Sequence, residues 1–342
     1  MGKRALLFPG QGSQGVDMGM DVYDEPVVRA TFDEASAALG YDLAALCFTG
    51  PTETLARTDV TQPAVLTVSV ALYRLARQRG LQYEAALGHS LGEYSALVAT
   101  GAVEFGVAVD LVRRRGEAML VAAQNKPGGM AAVIGLDDTA VEALCAGIGS
   151  LWPANFNAPG QVVVSGTESG LAEFGAQALQ AGARKVIRLK VSGAFHSPLV
   201  AAAVETLRVP LAAVAWMAPA PAFFSPCSVA WERDLFSELL LRQIVAPVRF
   251  TAAIESLVAQ GYDSFLEVGP GNVLSGLVRR IAPAVAIGGT VDAATLAALD
   301  ATWLAPGLDS VQSGQAESIQ VAVSPTASGL ATSDTTSDGG TK

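Results

Sequence analysis

Basic residues and histidines are scarce in this chain. Its 342 residues include 22 Lys and Arg against 32 Asp and Glu, and only two His, which gives a net charge of −10. A nucleic-acid-binding surface needs a basic stripe, and this balance does not favour one. We therefore expect no nucleic-acid partner.

Cysteines are also few. Cys47, Cys145 and Cys227 are odd in number and scattered, and they lack the spacing of metal ligands. This pattern predicts reduced thiols in a cytoplasmic protein and no metal site.

Long uninterrupted apolar segments are missing too. The apolar stretch at residues 5–10 is too short for a secretory signal. The uncharged stretch 209–231 has the length of a membrane span, but it contains four prolines. We therefore expect buried loops and a strand there, and no membrane partner.

The chain is nevertheless rich in apolar residues, at 51%, and they fall into alternating segments. Strand-like and helix-like segments follow one another through residues 1–126, and the same alternation returns after residue 191. Alternation of this kind predicts an α/β fold with a mainly parallel sheet.

Residues 127–191 have a different order of segments. They read β-α-β-β-α-β, with Asp137 or Asp138 as the N-cap of the first helix. This is the ferredoxin-like pattern, so we expect a small subdomain inserted into a larger one formed by 1–126 and 192–299. Residues 300–342 are rich in Ser, Thr, Gly and Asp, and they predict a disordered tail.

A Gly-x-Ser-x-Gly frame, Gly88-His89-Ser90-Leu91-Gly92, stands between a predicted strand and a predicted helix. This layout is typical of a nucleophile elbow, which presents a serine hydroxyl at the edge of an α/β-hydrolase-like sheet. The glycines allow close backbone approach. The motif alone also fits a glycine-flanked turn with an incidental serine.

A nucleophilic serine needs a base, and the chain offers His89 and His196. Neighbouring side chains on a strand point to opposite faces, so His89 is badly placed to serve Ser90 and suits a structural role. His196 lies where a strand gives way to a Pro-containing loop, a place where a lone His is usually an ordinary loop residue. Beside an elbow serine, it is the plausible base.

Arg115 lies on the apolar face of a predicted helix over residues 104–123, whereas Arg113 and Arg114 point away from that face. A buried guanidinium keeps its charge and needs an anion. That anion is either an internal Asp or Glu or a substrate carboxylate held by the guanidinium fork. Partial exposure of the side chain is the third possibility.

The loop "FPGQGSQ" at 8–14 could also bind an oxyanion through backbone N–H groups.

Taken together, these motifs resemble the malonyl-CoA:acyl-carrier-protein transacylase family, which includes free-standing acyltransferases that serve polyketide synthases. The resemblance covers residues 4 to about 290. The matching stretches, in family order, are "FPGQGSQ", "TQPA", "GHSLGEYSAL", "RRRGEAM", "NFNAPGQVVVSG", "GAFHSPL", "QIVAPVRF" and "EVGPGNVLSGL".

The resemblance implies an acyl-enzyme mechanism. Ser90 is then the nucleophile, His196 the general base and acid, and Gln243 the residue whose backbone carbonyl orients His196. The backbone N–H groups of Gln11 and Leu91 would form the oxyanion hole. No metal or redox cofactor is implied, because malonyl-CoA enters as a substrate.

The resemblance also implies the substrate contacts. Arg115 would bind the malonyl carboxylate, and Phe195, paired with Leu91, would disfavour an α-methyl group. Asn155 and Asn157 match positions near the CoA or pantetheine path, or are turn-forming Asn beside a Pro-Gly pair.

The activity implied is transfer of malonyl from malonyl-CoA to a holo acyl carrier protein, the expected partner. The alternatives are an acyl-thioester hydrolase or editing enzyme, a methylmalonyl-preferring acyltransferase and a silent docking module. Hydrolases of the family usually lack the arginine, so Arg115 favours the transferase. Pro226 departs from the family, since many relatives have Asn in that loop beneath the site.

A carrier protein is usually acidic, so docking on this acidic chain calls for a local basic patch. The candidates are Lys126, Arg184, Lys185, Arg188 and Lys190. The same charges also fit a solvated strand edge that is protected from pairing.

Overall fold

In the part of the chain that the structure describes, short β-branched and apolar runs form ten strands in two sheets. The computed structural model describes residues 2–299 and 301–304. The strands are β1 (Lys3–Phe8), β2 (Ala85–Gly88), β3 (Gly129–Ile134), β4 (Leu151–Ala158), β5 (Gln161–Gly166), β6 (Lys185–Arg188), β7 (Ala222–Ser225), β8 (Ala230–Glu232), β9 (Tyr262–Val268) and β10 (Ala286–Thr290).

The first sheet has the order β10-β9-β1-β2-β7-β8, and the second has the order β4-β5-β3-β6. In the first sheet every neighbouring pair is parallel except β7 and β8. All pairs of the second sheet are antiparallel. The predicted α/β fold with a mainly parallel sheet is therefore confirmed.

Helices separate most of the strands. They are α1 (Pro26–Leu39), α2 (Leu43–Thr49), α3 (Thr52–Leu55), α4 (Thr58–Gln78), α5 (Gly92–Ala99), α6 (Phe105–Asn125), α7 (Asp138–Ile148), α8 (Glu168–Gln180), α9 (Ala202–Ala212), α10 (Phe236–Val245), α11 (Phe250–Ala259), α12 (Val273–Ile281) and α13 (Ala293–Ala297). Of the two predicted caps for α7, Asp137 is the one whose side chain accepts a hydrogen bond from Ala140 N–H.

The parallel sheet is buried on both faces. Alternate residues of β1 enter different apolar clusters, with Leu6 and Phe8 in one and Ala5 and Leu7 in the other. Because side chains alternate across a strand, this arrangement needs helices on both sides of the sheet. The carboxyl ends of β1 and β2 are thereby held rigidly, and the site described below lies there.

The uncharged stretch 209–231 differs in part from the expectation. It supplies β7, but its first residues are helical, because α9 continues through Pro210 to Ala212. Ala203, Leu207 and Leu211 repeat at four-residue spacing and are buried, which favours helix up to this point. None of the helices among the described residues combines the length and the apolar character that a membrane span requires.

Residues 301–304 of the predicted tail pack against the fold. Leu304 forms an antiparallel bridge with Leu81, and Trp303 is buried. The rest of the predicted tail, residue 300 and residues 305–342, lies outside the described residues.

Candidate active site

Ser90 occupies a tight turn between β2 and α5. Its φ of 52° is left-handed, a conformation that non-glycine residues rarely adopt. A Cβ on Gly88 would lie 1.9 Å from the carbonyl carbon of Gly92, and one on Gly92 would lie 2.0 Å from the carbonyl oxygen of Phe8. Both glycines are therefore required for the close backbone approach that forms the turn.

The Ser90 hydroxyl contacts the imidazole of His196. Ser90 Oγ lies 2.8 Å from His196 Nε2. On the other side of the ring, Nδ1 lies 2.9 Å from the carbonyl oxygen of Gln243 and 3.1 Å from that of Ala246. Carbonyl oxygens only accept, so Nδ1 carries the proton and Nε2 accepts from Ser90.

The environment of His196 keeps its imidazole neutral. Burial and the positive charge of Arg115 lower the pKa of His196 from 6.5 to about 3, although the carbonyl oxygens of Gln243 and Ala246 act in the opposite direction. Unlike a carboxylate, these carbonyls carry no full charge to stabilise an imidazolium. At neutral pH the ring is therefore a free base that is ready to accept a proton.

Arg115 projects from α6 into the same site and is 1% exposed. Nη1 donates to Gln62 Oε1 at 2.6 Å, while Nη2 donates to Gln243 Oε1 at 2.9 Å and to Ser90 Oγ at 3.1 Å. Nε has no hydrogen-bond partner among the described residues. Of the three possibilities for this arginine, exposure and direct pairing with Asp or Glu are both absent within the described part of the chain, so the guanidinium can still accept an anion.

The neighbouring arginines of α6 behave differently. Arg113 and Arg114 both pair with Asp110 on the outer face of the helix. Arg115 is buried whereas Arg113 and Arg114 are not, as the helical periodicity predicts.

Two buried residues around this centre, Gln62 and Glu93, were not predicted as site residues. Gln62 accepts from Arg115. Glu93 accepts from Ser225 Oγ at 2.7 Å and from Gln243 Nε2 at 2.8 Å. Gln62 lies in the "TQPA" stretch and Glu93 in "GHSLGEYSAL", so both motifs were recognised although no role was given to these side chains.

A cavity of about 100 Å³ opens beside Ser90. Its size suits a short acyl group. Its lining includes Gln11, His89, Ser90, Arg115, Met119, Met130, Asn155, Leu189, Val191, Phe195 and His196. Gln11, Arg115, Asn155 and Phe195 are thus brought together with the Ser90–His196 pair.

Two backbone donors adjoin this centre. Within the described residues, the N–H groups of Gln11 and Leu91 donate to no protein acceptor. Free N–H groups in a turn next to a nucleophile are suited to bind an oxyanion.

His89 and Asn157 form a separate pair. His89 Nε2 lies 2.9 Å from Asn157 Oδ1, and the ring packs against Phe250. Burial lowers the pKa of His89, so the ring is neutral. It makes no hydrogen bond to Ser90, in keeping with the structural role expected for it.

Comparisons with known proteins identify the family of this chain. The model of the family described as "Acyl transferase domain" matches residues 5–288. The malonyl CoA-acyl carrier protein transacylase of Escherichia coli K12 is 46% identical over 284 residues, which cover 81% of this chain and 92% of that protein.

Solved structures give the same result. The acyl-carrier-protein S-malonyltransferase of Burkholderia pseudomallei 1710b is 42% identical and superposes with a TM-score of 0.84. The alignment covers 86% of this chain and 98% of that protein. A malonyl-transacylase solved in complex with its type II PKS acyl-carrier protein has a TM-score of 0.84 at 39% identity, with 86% and 98% coverage.

Proposed function

This chain belongs to the acyl transferase domain family, among the malonyl-CoA:acyl-carrier-protein transacylases, and on that premise we propose that it transfers malonyl groups from malonyl-CoA to a holo acyl carrier protein. The observation that carries the proposal is the contact of one hydroxyl, Ser90 Oγ, with both a neutral base and a cation. His196 Nε2 is 2.8 Å away and Arg115 Nη2 is 3.1 Å away.

The first half-reaction acylates Ser90. His196 Nε2 takes the hydroxyl proton as Ser90 Oγ attacks the thioester carbon of malonyl-CoA. The N–H groups of Gln11 and Leu91 donate to the oxyanion that forms. When the C–S bond breaks, the CoA thiolate takes the proton from His196 and leaves.

The second half-reaction regenerates the serine. The phosphopantetheine thiol of the carrier gives its proton to His196 and attacks the malonyl ester carbon. As the C–O bond to Ser90 breaks, Oγ takes the proton back from His196. The carbonyl of Gln243 holds the ring in the required tautomer through both steps.

The malonyl group is selected by charge and shape. Arg115 binds the malonyl carboxylate through its fork, which a lysine would reproduce poorly. Phe195 is buried and lines the acyl cavity, where an α-methyl group would crowd its ring. Selection of this kind is worth about 1–3 kcal/mol, so we expect a preference for malonyl over methylmalonyl.

Asn155 and Asn157 are assigned to the CoA or pantetheine path. Asn155 lines the cavity wall, and Asn157 contributes through its partner His89.

The reaction uses no metal or redox cofactor, since malonyl-CoA is consumed as a substrate. We assign the protein to the cytoplasm, where free cysteines such as Cys47, Cys145 and Cys227 stay reduced.

The proposed domain organisation follows the two sheets. We assign the parallel sheet, with residues 1–126 and 192–299, to an α/β-hydrolase-like catalytic subdomain. Residues 127–191, in which β3-α7-β4-β5-α8-β6 follow one another, form a ferredoxin-like subdomain. Asn155 on β4 brings the smaller subdomain to the wall of the acyl cavity.

The proposed docking surface for the carrier protein is the basic patch Lys126, Arg184, Lys185, Arg188 and Lys190. All five residues are exposed. Lys190 lies between Leu189 and Val191, which line the acyl cavity, so the patch adjoins the entrance to Ser90. β6 is also an edge strand, and the same charges protect it from pairing with another chain.

The alternatives have less support. An acyl-thioester hydrolase shares Ser90 and His196 but has no need for a buried guanidinium that lacks a carboxylate partner among the described residues. Phe195 does not suit a methylmalonyl preference. A silent docking module has no need for an activated serine.

Initial rates measured against malonyl-CoA and holo carrier should give parallel double-reciprocal lines, as a covalent two-step transfer requires. Intersecting lines would reject it.

A further inference from the structure

Glu93 lies directly beneath the acyl-transfer site and takes no part in the steps above. It stands in the first turn of α5, three residues after Ser90, and is 1% exposed. Oε1 accepts from Ser225 Oγ at 2.7 Å, and Oε2 accepts from Gln243 Nε2 at 2.8 Å. A buried carboxylate with both oxygens bonded is held in one orientation.

The partners of the Gln243 side chain determine which way its amide points. Arg115 has donors only, so Nη2 must face Gln243 Oε1, 2.9 Å away. Nε2 then points the other way, where Glu93 Oε2 and the carbonyl oxygen of Ser90 each accept at 2.8 Å. A flipped amide would set donor against donor at Arg115 and acceptor against acceptor at Glu93.

Gln243 also connects the two groups that contact Ser90. Its backbone carbonyl accepts from His196 Nδ1, and its side-chain oxygen accepts from Arg115 Nη2. A displacement of Gln243 would therefore move the base and the guanidinium together. A close-packed interior transmits strain, so we expect the loss of a hydrogen bond to Gln243 to reach both groups.

We infer that Glu93 is a positioning residue, which keeps His196 and Arg115 at reacting distance from Ser90 by holding Gln243 Nε2. The inference rests on the proposed function, because it concerns the geometry of acyl transfer. The feature that matters is an acceptor oxygen at this position. Burial raises the pKa of Glu93 to about 7 even though the hydrogen bonds from Ser225 and Gln243 and the charge of Arg115 act to lower it, and Oε2 can accept in either protonation state.

Two conservative substitutions distinguish the position of the acceptor oxygen at Glu93 from its negative charge. Glu93→Gln removes the charge and keeps an oxygen at the same distance from Gln243. Glu93→Asp keeps the charge and withdraws the carboxylate by one methylene. The control is Glu267→Asp, which shortens another buried carboxylate, one that accepts from the N–H groups of Leu274 and Ser275 and does not contact Gln243.

The experiment measures two rates on each full-length variant, after circular dichroism has shown native helix content. One is the labelling of Ser90 by diisopropyl fluorophosphate, and the other is kcat and KM for malonyl transfer. We expect Glu93→Asp to reduce both the labelling rate and kcat about 10- to 100-fold, whereas Glu93→Gln stays within about 3-fold of the wild type. Glu267→Asp should label at the wild-type rate.

The inference is overturned if Glu93→Asp labels at the wild-type rate, or if Glu93→Gln is as slow as Glu93→Asp, which would assign the role to charge. A wild-type protein that labels normally but transfers no malonyl would overturn the proposed function instead. The labelling rates would then still decide the role of Glu93.

Discussion

The carbonyl oxygen of Gln243 lies 2.9 Å from His196 Nδ1, in the place that a carboxylate occupies in a Ser-His-Asp triad. A carbonyl fixes the ring and its tautomer as a carboxylate does, but it provides no negative charge. Burial of the ring and the positive charge of Arg115 lower the pKa of His196 to about 3. The pH dependence of the reaction should reveal this difference.

We expect the acid limb of kcat/KM for malonyl-CoA to lie far below the ordinary pKa of histidine, 6.5. His196 must be neutral to act as a base, and a lowered pKa keeps it neutral at lower pH. The rate should therefore stay constant between about pH 8 and about pH 5. Stopped-flow measurement of Ser90 acylation over this pH range locates the acid limb of the pH profile. Circular dichroism at each pH verifies that the protein is folded.

A matched variant tests the cause of that shift. Arg115→Ala removes a positive charge that lowers the pKa of His196, so with acetyl-CoA as donor its acid limb should move to higher pH. An acid limb near pH 6.5 in the wild type, or one that Arg115→Ala leaves unmoved, would contradict this account.

Arg115→Ala should lower kcat/KM for malonyl-CoA about 100-fold, because the malonyl carboxylate loses its buried cation. Activity with acetyl-CoA should be retained or increased. Arg115→Lys should recover little, since an ammonium lacks the fork. Arg114→Ala on the outer face of α6 is the control, and undiminished malonyl transfer by Arg115→Ala would show that this residue does not bind the carboxylate.

Gly92→Ala should lower the free energy of unfolding by about 3 kcal/mol and abolish Ser90 acylation. The added Cβ would stand 2.0 Å from the carbonyl oxygen of Phe8, so β1 and the turn would have to separate. Gly276→Ala, in open space on α12, should instead raise stability by about 0.5–1 kcal/mol. Urea denaturation measures the free energy of unfolding of both variants. Equal changes in this free energy would contradict the close backbone approach at the Ser90 turn.

Reversing two charges on the basic patch, Arg184→Glu with Lys185→Glu, should raise KM for the carrier about 10-fold and leave malonylation of Ser90 unchanged. The effect should shrink at high salt. Arg29→Glu with Arg208→Glu changes the net charge equally on α1 and α9 and should leave KM unaltered. An unchanged KM for the patch variant would dismiss this docking surface.

The sequence was most informative where neighbours along the chain determine the structure. The turn at Ser90 and the burial of Arg115 both follow from local glycine placement and helical periodicity. Gln62 and Glu93 could not be recognised in this way, because their partners lie 53 and 150 residues away in the chain. The role of Gln243 was predicted only from the family resemblance. Its backbone carbonyl orients His196, and every residue type has such a carbonyl, so the residue type does not reveal the role.

The most direct test of the central claim is intact-protein mass spectrometry after mixing with malonyl-CoA, first without and then with a holo carrier protein. We expect a stable malonyl adduct on Ser90, absent in Ser90→Ala, that moves to the carrier when it is added. If no adduct accumulates and free malonate appears instead, the protein is a hydrolase and the transfer mechanism is wrong.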